Sequence, residues 1–213
     1  MDARETILKT IRVAAARNTA PPAAQTSAGA RRAAAARADW ESDLIGRFKK
    51  RAEALASTVI GPIARAQITS QIAGYLKEHQ LPSQAVCWSA LSRLEWSAVG
   101  IAVEARAARD TDLVGITETF CAIADTGTLM LLSGLETPAT VSLLPETHIA
   151  VVPVARLVAR MEDAWDLVRR EHNGLPRAVN FVSGPSRTAD IEQTVTLGAH
   201  GPYRVLIVLV DNG

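Results

Sequence analysis

The sequence predicts an α/β fold: a mixed sheet covered by helices, behind a helical N-terminal extension. Three observations carry that prediction. Short segments that are apolar on both faces alternate with helical periods, the pattern of a sheet buried on both sides. Two of these segments flank Asp125-Thr126-Gly127-Thr128, a hairpin turn with Gly127 supplying the positive φ, so the sheet is mixed rather than purely parallel. The 213 residues are 48% hydrophobic but only 4% aromatic, so the interior is left to Ala, Val, Leu and Ile, which suits close packing of helices on a sheet.

The elements follow in order. Residues 4–17 place Ile7, Leu8, Ile11 and Ala15 at helical spacing, giving one narrow apolar stripe. Thr19-Ala20-Pro21-Pro22 stops that helix, and residues 25–29 are small and polar. Residues 1–37 are therefore read as an N-terminal arm and linker. Residues 38–213 form one α/β domain, helical over 38–80 and sheet-rich over 81–213. Residues 39–59 predict a helix with Trp40, Leu44, Phe48 and Leu55 on one face and Ile45, Ala52 and Val59 beside it. Lys49, Lys50, Arg51 and Glu53 lie largely opposite; Asp39 is its expected N-cap and Gly61-Pro62 its stop. Residues 67–79 predict a second helix, closed by Leu81-Pro82. Strand-like segments then occur at 85–88, 99–103, 113–116, 120–124, 129–132, 149–152, 178–182 and 203–210, with an amphipathic helix over 155–170.

Composition also excludes partners. A net charge of +1 gives no electrostatic footprint for a nucleic acid. The cluster Arg31, Arg32 and Arg37 lies in an Ala-rich stretch without interleaved aromatics and reads as solvated. The two cysteines, Cys87 and Cys121, form no CxxC, so the chain's own thiolates build neither an iron–sulfur cluster nor a structural zinc site. Both stand in apolar runs and are expected to be buried and inert, and the lack of a disulfide framework fits a reducing cytoplasm. There is no secretory h-region, and the longest apolar run, 205–210, is too short to span a bilayer. The glycines at 184, 198 and 201 make no dinucleotide fingerprint, and Ser183-Gly184-Pro185-Ser186 is not a nucleophile elbow.

Polar residues that interrupt apolar strands are the candidates for chemistry. After the strand at 178–182 comes a hydroxyl-rich segment with Gly184, Ser186, Arg187, Thr188 and Asp190. Gly184 allows close backbone approach, and the planar fork of Arg187 suits a carboxylate or phosphate at a strand's end. Equally, Asp190 pairs with Arg187 and Thr188 caps a short helix near Ala189. His148 and His200 are available as acid/base groups or as ligands with Glu118, Glu146 or Asp190. The alternative is hydrogen bonding within tight turns, and no HxH or HxxxH spacing supports a metal. His79 and His172, near helix ends, read as solvated. The expected site thus has Glu118, Glu146 and His200 as catalytic candidates. Thr126, Gly127, Gly184, Ser186, Arg187, Thr188 and Asp190 are the expected ligand contacts, with no metal.

Taken in order, Ala124-Asp125-Thr126-Gly127-Thr128-Leu129, Ser142-Leu143-Leu144-Pro145-Glu146-Thr147-His148, the segment 183–192 and Gly198-Ala199-His200-Gly201-Pro202 resemble the lactate utilization protein C family, the LUD domain. The resemblance covers about residues 80–213. It implies a fold similar to ribose-5-phosphate isomerases and CoA transferases. It also implies a role in converting L-lactate to pyruvate beside two iron–sulfur partner subunits, one of which carries a LUD domain followed by ferredoxin-type cysteines. This chain lacks those cysteines, so the clusters are expected in the partners and no cofactor in the chain itself. The competing reading is a stand-alone isomerase- or CoA-transferase-like enzyme acting on a small carboxylate or phosphate. Glu118 or Glu146 is then nucleophile or base and Arg187 the anion clamp. A ligand-sensing or purely structural module is a third.

Overall fold

The computed structural model describes residues 4–10, 43–172, 174–191, 194–197 and 201–211. The chain divides into two compact units, Met1–Asp39 and Trp40–Gly213. In the first, residues 4–10 are helical. The expected linker, the basic cluster at 31–37, the Asp39 cap and Trp40 lie outside the described residues.

In the second unit, α1 (Leu44–Ala54) is capped by Asp43, whose carboxylate accepts from the Gly46 N–H at 2.8 Å. It ends five residues earlier than the sequence pattern suggests. Thr58-Val59-Ile60 is a β-branched run that favours extended backbone, and it opens strand β1 (Thr58–Ala64) instead of closing the helix. Gly61-Pro62 therefore sits inside a strand, at a register shift between Ile60 and Ile63. There a missing N–H is tolerated because β1 is an edge strand. Sheet structure thus begins well before residue 81. Next come α2 (Ile68–Glu78), β2 (Gln84–Cys87), β3 (Ala102–Ala105) and β4 (Val114–Glu118). They are followed by β5 (Cys121–Ile123), β6 (Thr128–Leu132), the one-turn α3 (Thr140–Leu143) and β7 (Thr147–Pro153). After β8 (Leu157–Val158), α4 (Met161–Glu171) and β9 (Val179–Val182) come a hairpin, β10 (Arg187–Ile191) with β11 (Thr194–Leu197), and finally β12 (Arg204–Asp211).

Three expected elements are therefore corrected. Residues 97–99 form a helical turn, and only Ala102 onward is strand. The helix expected over 155–170 starts at Met161, because Leu157–Val158 pairs with β5 and the Asp163 carboxylate accepts from the Arg160 N–H, fixing the helix start. The segment 183–192 is a loop only to Ser186; Arg187 begins β10, so no helix starts near Ala189.

The strands divide over two main sheets. One has six strands in the order β1-β12-β7-β4-β2-β3, all parallel. The other has four, β8-β5-β6-β9, and is mixed: β5 runs parallel to β8, while β6 is antiparallel to β5 and β9. The β5–β6 turn is the anticipated hairpin, with Gly127 at φ +67°. On one face of the six-stranded sheet, Ile116, Ile149 and Leu206 pack against Ile68 and Ile72 of α2. On the other, Ala150, Val205 and Ile207 meet Phe48 and Ala52 of α1 together with Ala122, Leu129 and Leu131 of the second sheet and Ala124 of its β5–β6 turn. Alanines at the meeting of the two sheets let them approach closely. The outer face of the second sheet, with Cys121, Ile123 and Met130, is covered by Ala164 and Val168 of α4. Each fully buried Leu, Ile or Val in these layers contributes about 1.5–3 kcal/mol through its burial. Among the described residues, no helix is long and apolar enough to cross a membrane.

Candidate functional site

Parallel topology decides where a ligand site forms. From β2 the chain passes outward to β3, then returns to β4 on the other side of β2 and continues away to β7. The connections leaving β2 and β4 diverge, which makes the crevice beyond their carboxyl ends a topological switch point. A cavity of about 590 Å³ lies there, lined among others by Trp88, Glu118, Thr119, Phe120, Arg156 and His172. That volume is within the range of small-molecule sites.

Each of these residues is set by the end of an element. Trp88 follows the last residue of β2, and its indole N–H donates to the Pro138 carbonyl at 3.1 Å. Glu118 is the last residue of β4; its half-buried carboxylate has no hydrogen-bond or ion-pair partner among the described residues. The Thr119 hydroxyl lies within reach of the carbonyls of Cys121 (2.8 Å) and Met130 (3.0 Å), so this residue shapes the turn into β5. The Phe120 N–H also donates to Met130. Arg156, just past the end of β7, donates from one Nη to both carboxylate oxygens of Glu171, at 2.8 and 2.9 Å. Its guanidinium carbon stands 5.5 Å from the centre of the Phe120 ring. The His172 ring lies 5.5 Å from the same ring. A cation, an unengaged carboxylate and two aromatic walls therefore border one cavity.

A smaller cavity of about 290 Å³ lies at the opposite end of the strands, lined by Glu104, Arg106 and Asp112 among others. There Arg106 donates to Glu104 at 2.6 Å and to Asp112 at 2.6 and 2.8 Å. The guanidinium beside it holds the Asp112 carboxyl below its ordinary range. With its donors engaged, Arg106 braces the 104–112 segment and offers little to a ligand.

Of the residues singled out from sequence, Glu118 lies in the crevice and Glu146 does not. Val114 pairs with Thr147 but Glu118 with Val151, so Glu146, which precedes β7, is at the starting end of the sheet. Its exposed carboxylate accepts from the Tyr203 hydroxyl at 3.0 Å, and that hydroxyl in turn accepts from Arg204 at 2.7 Å. The turn at 125–128 and the loop at 183–187 do come together: the hydroxyls of Thr128 and Ser183 are 2.8 Å apart. Gly127 packs on the backbone of Arg51 and Ala52, and Gly184, at φ +85°, on the Leu55 carbonyl. The Ser186 N–H donates to Pro202 at 2.7 Å, and Arg187 makes a long 3.4 Å contact to the Leu55 carbonyl. This assembly adjoins the starts of β1 and β12, away from Glu118; Thr126 and Arg187 are exposed on it. Thr188 and Asp190 lie in β10, with their side chains outside the described set, as is all of His200.

His148 is not in a turn. It is fully buried in β7, shares a 2.8 Å hydrogen bond with Thr117 through Nε2, and its Nδ1 has no partner among the described residues. Burial pulls its pKa down to about 4, so it is neutral at physiological pH. Cys87 and Cys121 are buried, and burial pushes their thiols up to about 11 and about 12, far from a nucleophile's range. Among the described residues, no group of three or more His, Cys, Asp or Glu is placed to hold a metal.

Sequence reasoning missed Trp88, Phe120, Arg156 and His172 as site residues. The one local signal was a basic residue three positions beyond Pro153, where a buried strand ends.

Comparison with known proteins agrees with this architecture. The crystal structure of a DUF162 family protein from Deinococcus radiodurans matches with a TM-score of 0.60 and 22% identity, over 79% of this chain and 97% of that one; the likeness speaks for the fold alone. The lactate utilization protein C of Bacillus subtilis is 41% identical over 102 residues, 46% of this chain and 42% of that protein. That of Shouchella clausii is 42% identical over 101 residues, covering 46% and 44%. Lactate utilization protein C 1 of Bacillus mycoides is 42% identical over 108 residues, covering 49% and 46%. The matches thus span less than half the length of these relatives. The LUD domain model matches residues 45–210, most of the chain and all but the last residue of the six-stranded sheet, so the protein belongs to the LUD domain family.

Proposed function

We propose that this protein serves lactate utilization in the cytoplasm as a subunit without a redox centre of its own. It holds a small 2-hydroxy or 2-oxo carboxylate while iron–sulfur partner proteins take the electrons. The observation that carries this reading is the crevice at the carboxyl ends of β2 and β4, bordered by both Arg156 and Glu118. A 2-hydroxy carboxylate presents an anion beside a hydroxyl. Arg156 suits the anion, and the carboxylate of Glu118 suits the hydroxyl as a hydrogen-bond acceptor. Trp88 and Phe120 supply apolar walls for the remaining carbon. Converting such an alcohol to a ketone releases two electrons, and two buried, high-pKa thiols are poor means of receiving them. The naming of the relatives as lactate utilization proteins supports lactate among the possible acids.

The test is anaerobic affinity purification of the tagged chain from its native cells, with iron analysis and lactate-dependent dye reduction on the eluate. Co-eluting iron-rich partners with lactate oxidation are expected. A lone, iron-free and inactive chain would overturn the subunit reading.

One observation favours a second reading. The cavity, about 590 Å³, is larger than a three-carbon acid fills. A stand-alone isomerase- or CoA-transferase-like enzyme would use that room, with Glu118 as nucleophile or base. Acyl-CoA turnover lost on Glu118→Gln would establish it.

A further inference from the structure

We infer that the crevice takes 2-hydroxy or 2-oxo acids larger than lactate, those whose carbon 2 bears a bulky apolar group such as benzyl, and that Leu175 selects for that group. This inference rests on the reading of the crevice as a carboxylate site. Its charged and ionisable groups gather about one ring. Arg156 and His172 each lie 5.5 Å from the centre of the Phe120 ring, and Glu118 stands two residues before Phe120 in the chain. Glu171 engages only one Nη of Arg156. The other Nη and Nε have no partner among the described residues, so an incoming carboxylate has donors to meet.

The rest of the lining suits hydrocarbon. Trp88, Leu132, Pro153, Leu175 and Pro176 border the cavity. The neutral polar side chains beside them are already bonded within the protein. The Trp88 indole donates to the Pro138 carbonyl, and the Thr137 hydroxyl to the Leu132 carbonyl at 2.9 Å. The Thr119 hydroxyl reaches two backbone carbonyls, and the Ser133 hydroxyl accepts from the Ala178 N–H at 2.8 Å. At about 590 Å³ the cavity has room for much more than a three-carbon acid. Leu175 is the sharpest sign, because it is 71% exposed. A lone exposed leucine means little, but this one lines a ligand-sized cavity together with a tryptophan and a phenylalanine. The segment that carries it is tied to the end of β6: the Ser133 N–H donates to the Ala178 carbonyl at 3.0 Å, and the Ala178 N–H returns to the Ser133 hydroxyl. A benzyl group laid against Leu175 takes apolar surface of both out of water, which the methyl group of lactate is too small to do.

The experiment is calorimetric titration of the full chain with lactate and with 3-phenyllactate, which differ only by a phenyl group, in the wild type, Leu175→Ser and Arg156→Gln. Phenyllactate is expected to bind the wild type about ten- to a hundredfold tighter than lactate, the range set by burying one aromatic group. Leu175→Ser is expected to cut that preference about fivefold. Arg156→Gln is expected to weaken both acids at least about tenfold, which places both in the crevice. Thermal melts confirm that each variant folds. Phenyllactate binding no tighter than lactate overturns the inference, as does a preference that Leu175→Ser leaves intact. Either result with lactate still held through Arg156 leaves the carboxylate reading standing. If neither acid binds, or both ignore Arg156→Gln, that reading falls and the inference with it.

Discussion

His148 gives the protein a defined acid sensitivity. In the unfolded chain its imidazole titrates near the ordinary value, about 6.5. In the folded protein it is fully buried and held neutral until about pH 4. As pH falls below about 6.5 the unfolded state takes up a proton that the folded state refuses, so stability present above that value is lost progressively toward pH 4. The full span, from 6.5 to about 4, corresponds to about 3 kcal/mol. Between pH 7.5 and pH 5.0 the loss is about 2 kcal/mol, a large share of a stability of about 5–15 kcal/mol. Asp112 does not confuse this window. Its carboxyl is held below the ordinary carboxylate value, so its contribution disappears only at more acid pH. Urea unfolding of wild type and His148→Gln at the two pH values isolates the effect. The variant starts less stable, because glutamine fits the imidazole's place beside Thr117 imperfectly, but its loss on acidification should be smaller by about 2 kcal/mol. Equal losses in both proteins would refute the reasoning and mean that His148 titrates alike in the folded and unfolded chain.

Other perturbations test other parts of the structure. Gly184→Ala forces a side chain onto a residue at φ +85° and toward the Leu55 carbonyl; a loss of about 1–3 kcal/mol in urea unfolding is expected. Ile207→Ala opens a cavity between the two sheets and should cost about 2–5 kcal/mol by the same assay. Asp112→Asn removes the titratable charge that Arg106 grips at 2.6 and 2.8 Å, and should abolish the part of acid destabilisation that wild type shows as pH falls through the depressed Asp112 value. Arg187→Ala should leave carboxylate binding unchanged in calorimetry, because Arg187 reaches toward Leu55 beside the starts of the strands, not toward the crevice.

Much of the architecture was legible because strands buried on both faces read as apolar runs whatever their order or direction. Segments such as 129–132 and 149–152 needed no tertiary information. β1 was hidden because Thr58-Val59-Ile60 directly follows a helical stripe and carries Gly61-Pro62, which reads as a stop. Periodicity reports which faces are buried, not which sheet a strand joins, so the division into two sheets was invisible. The same ambiguity affected the site. The segment after 182 was read as a ligand loop at a strand's end, but β9 is the antiparallel edge of the second sheet. Glu118 stood out as a charge closing an apolar run. Arg156 and His172 did not, since they meet around Phe120 only after β7 ends and α4 folds back.

The position of β12 bears on how the chain is made. It lies between β1 and β7, pairing Leu206 with both Thr58 and Ile149, yet it is the last strand in sequence. Until residues 204–211 leave the ribosome, β1 has no neighbour and β7 presents an open edge beside apolar surface. The six-stranded sheet therefore cannot close until β12 has been made. Nascent chains halted before β12 are the species most exposed to aggregation and most in need of a chaperone.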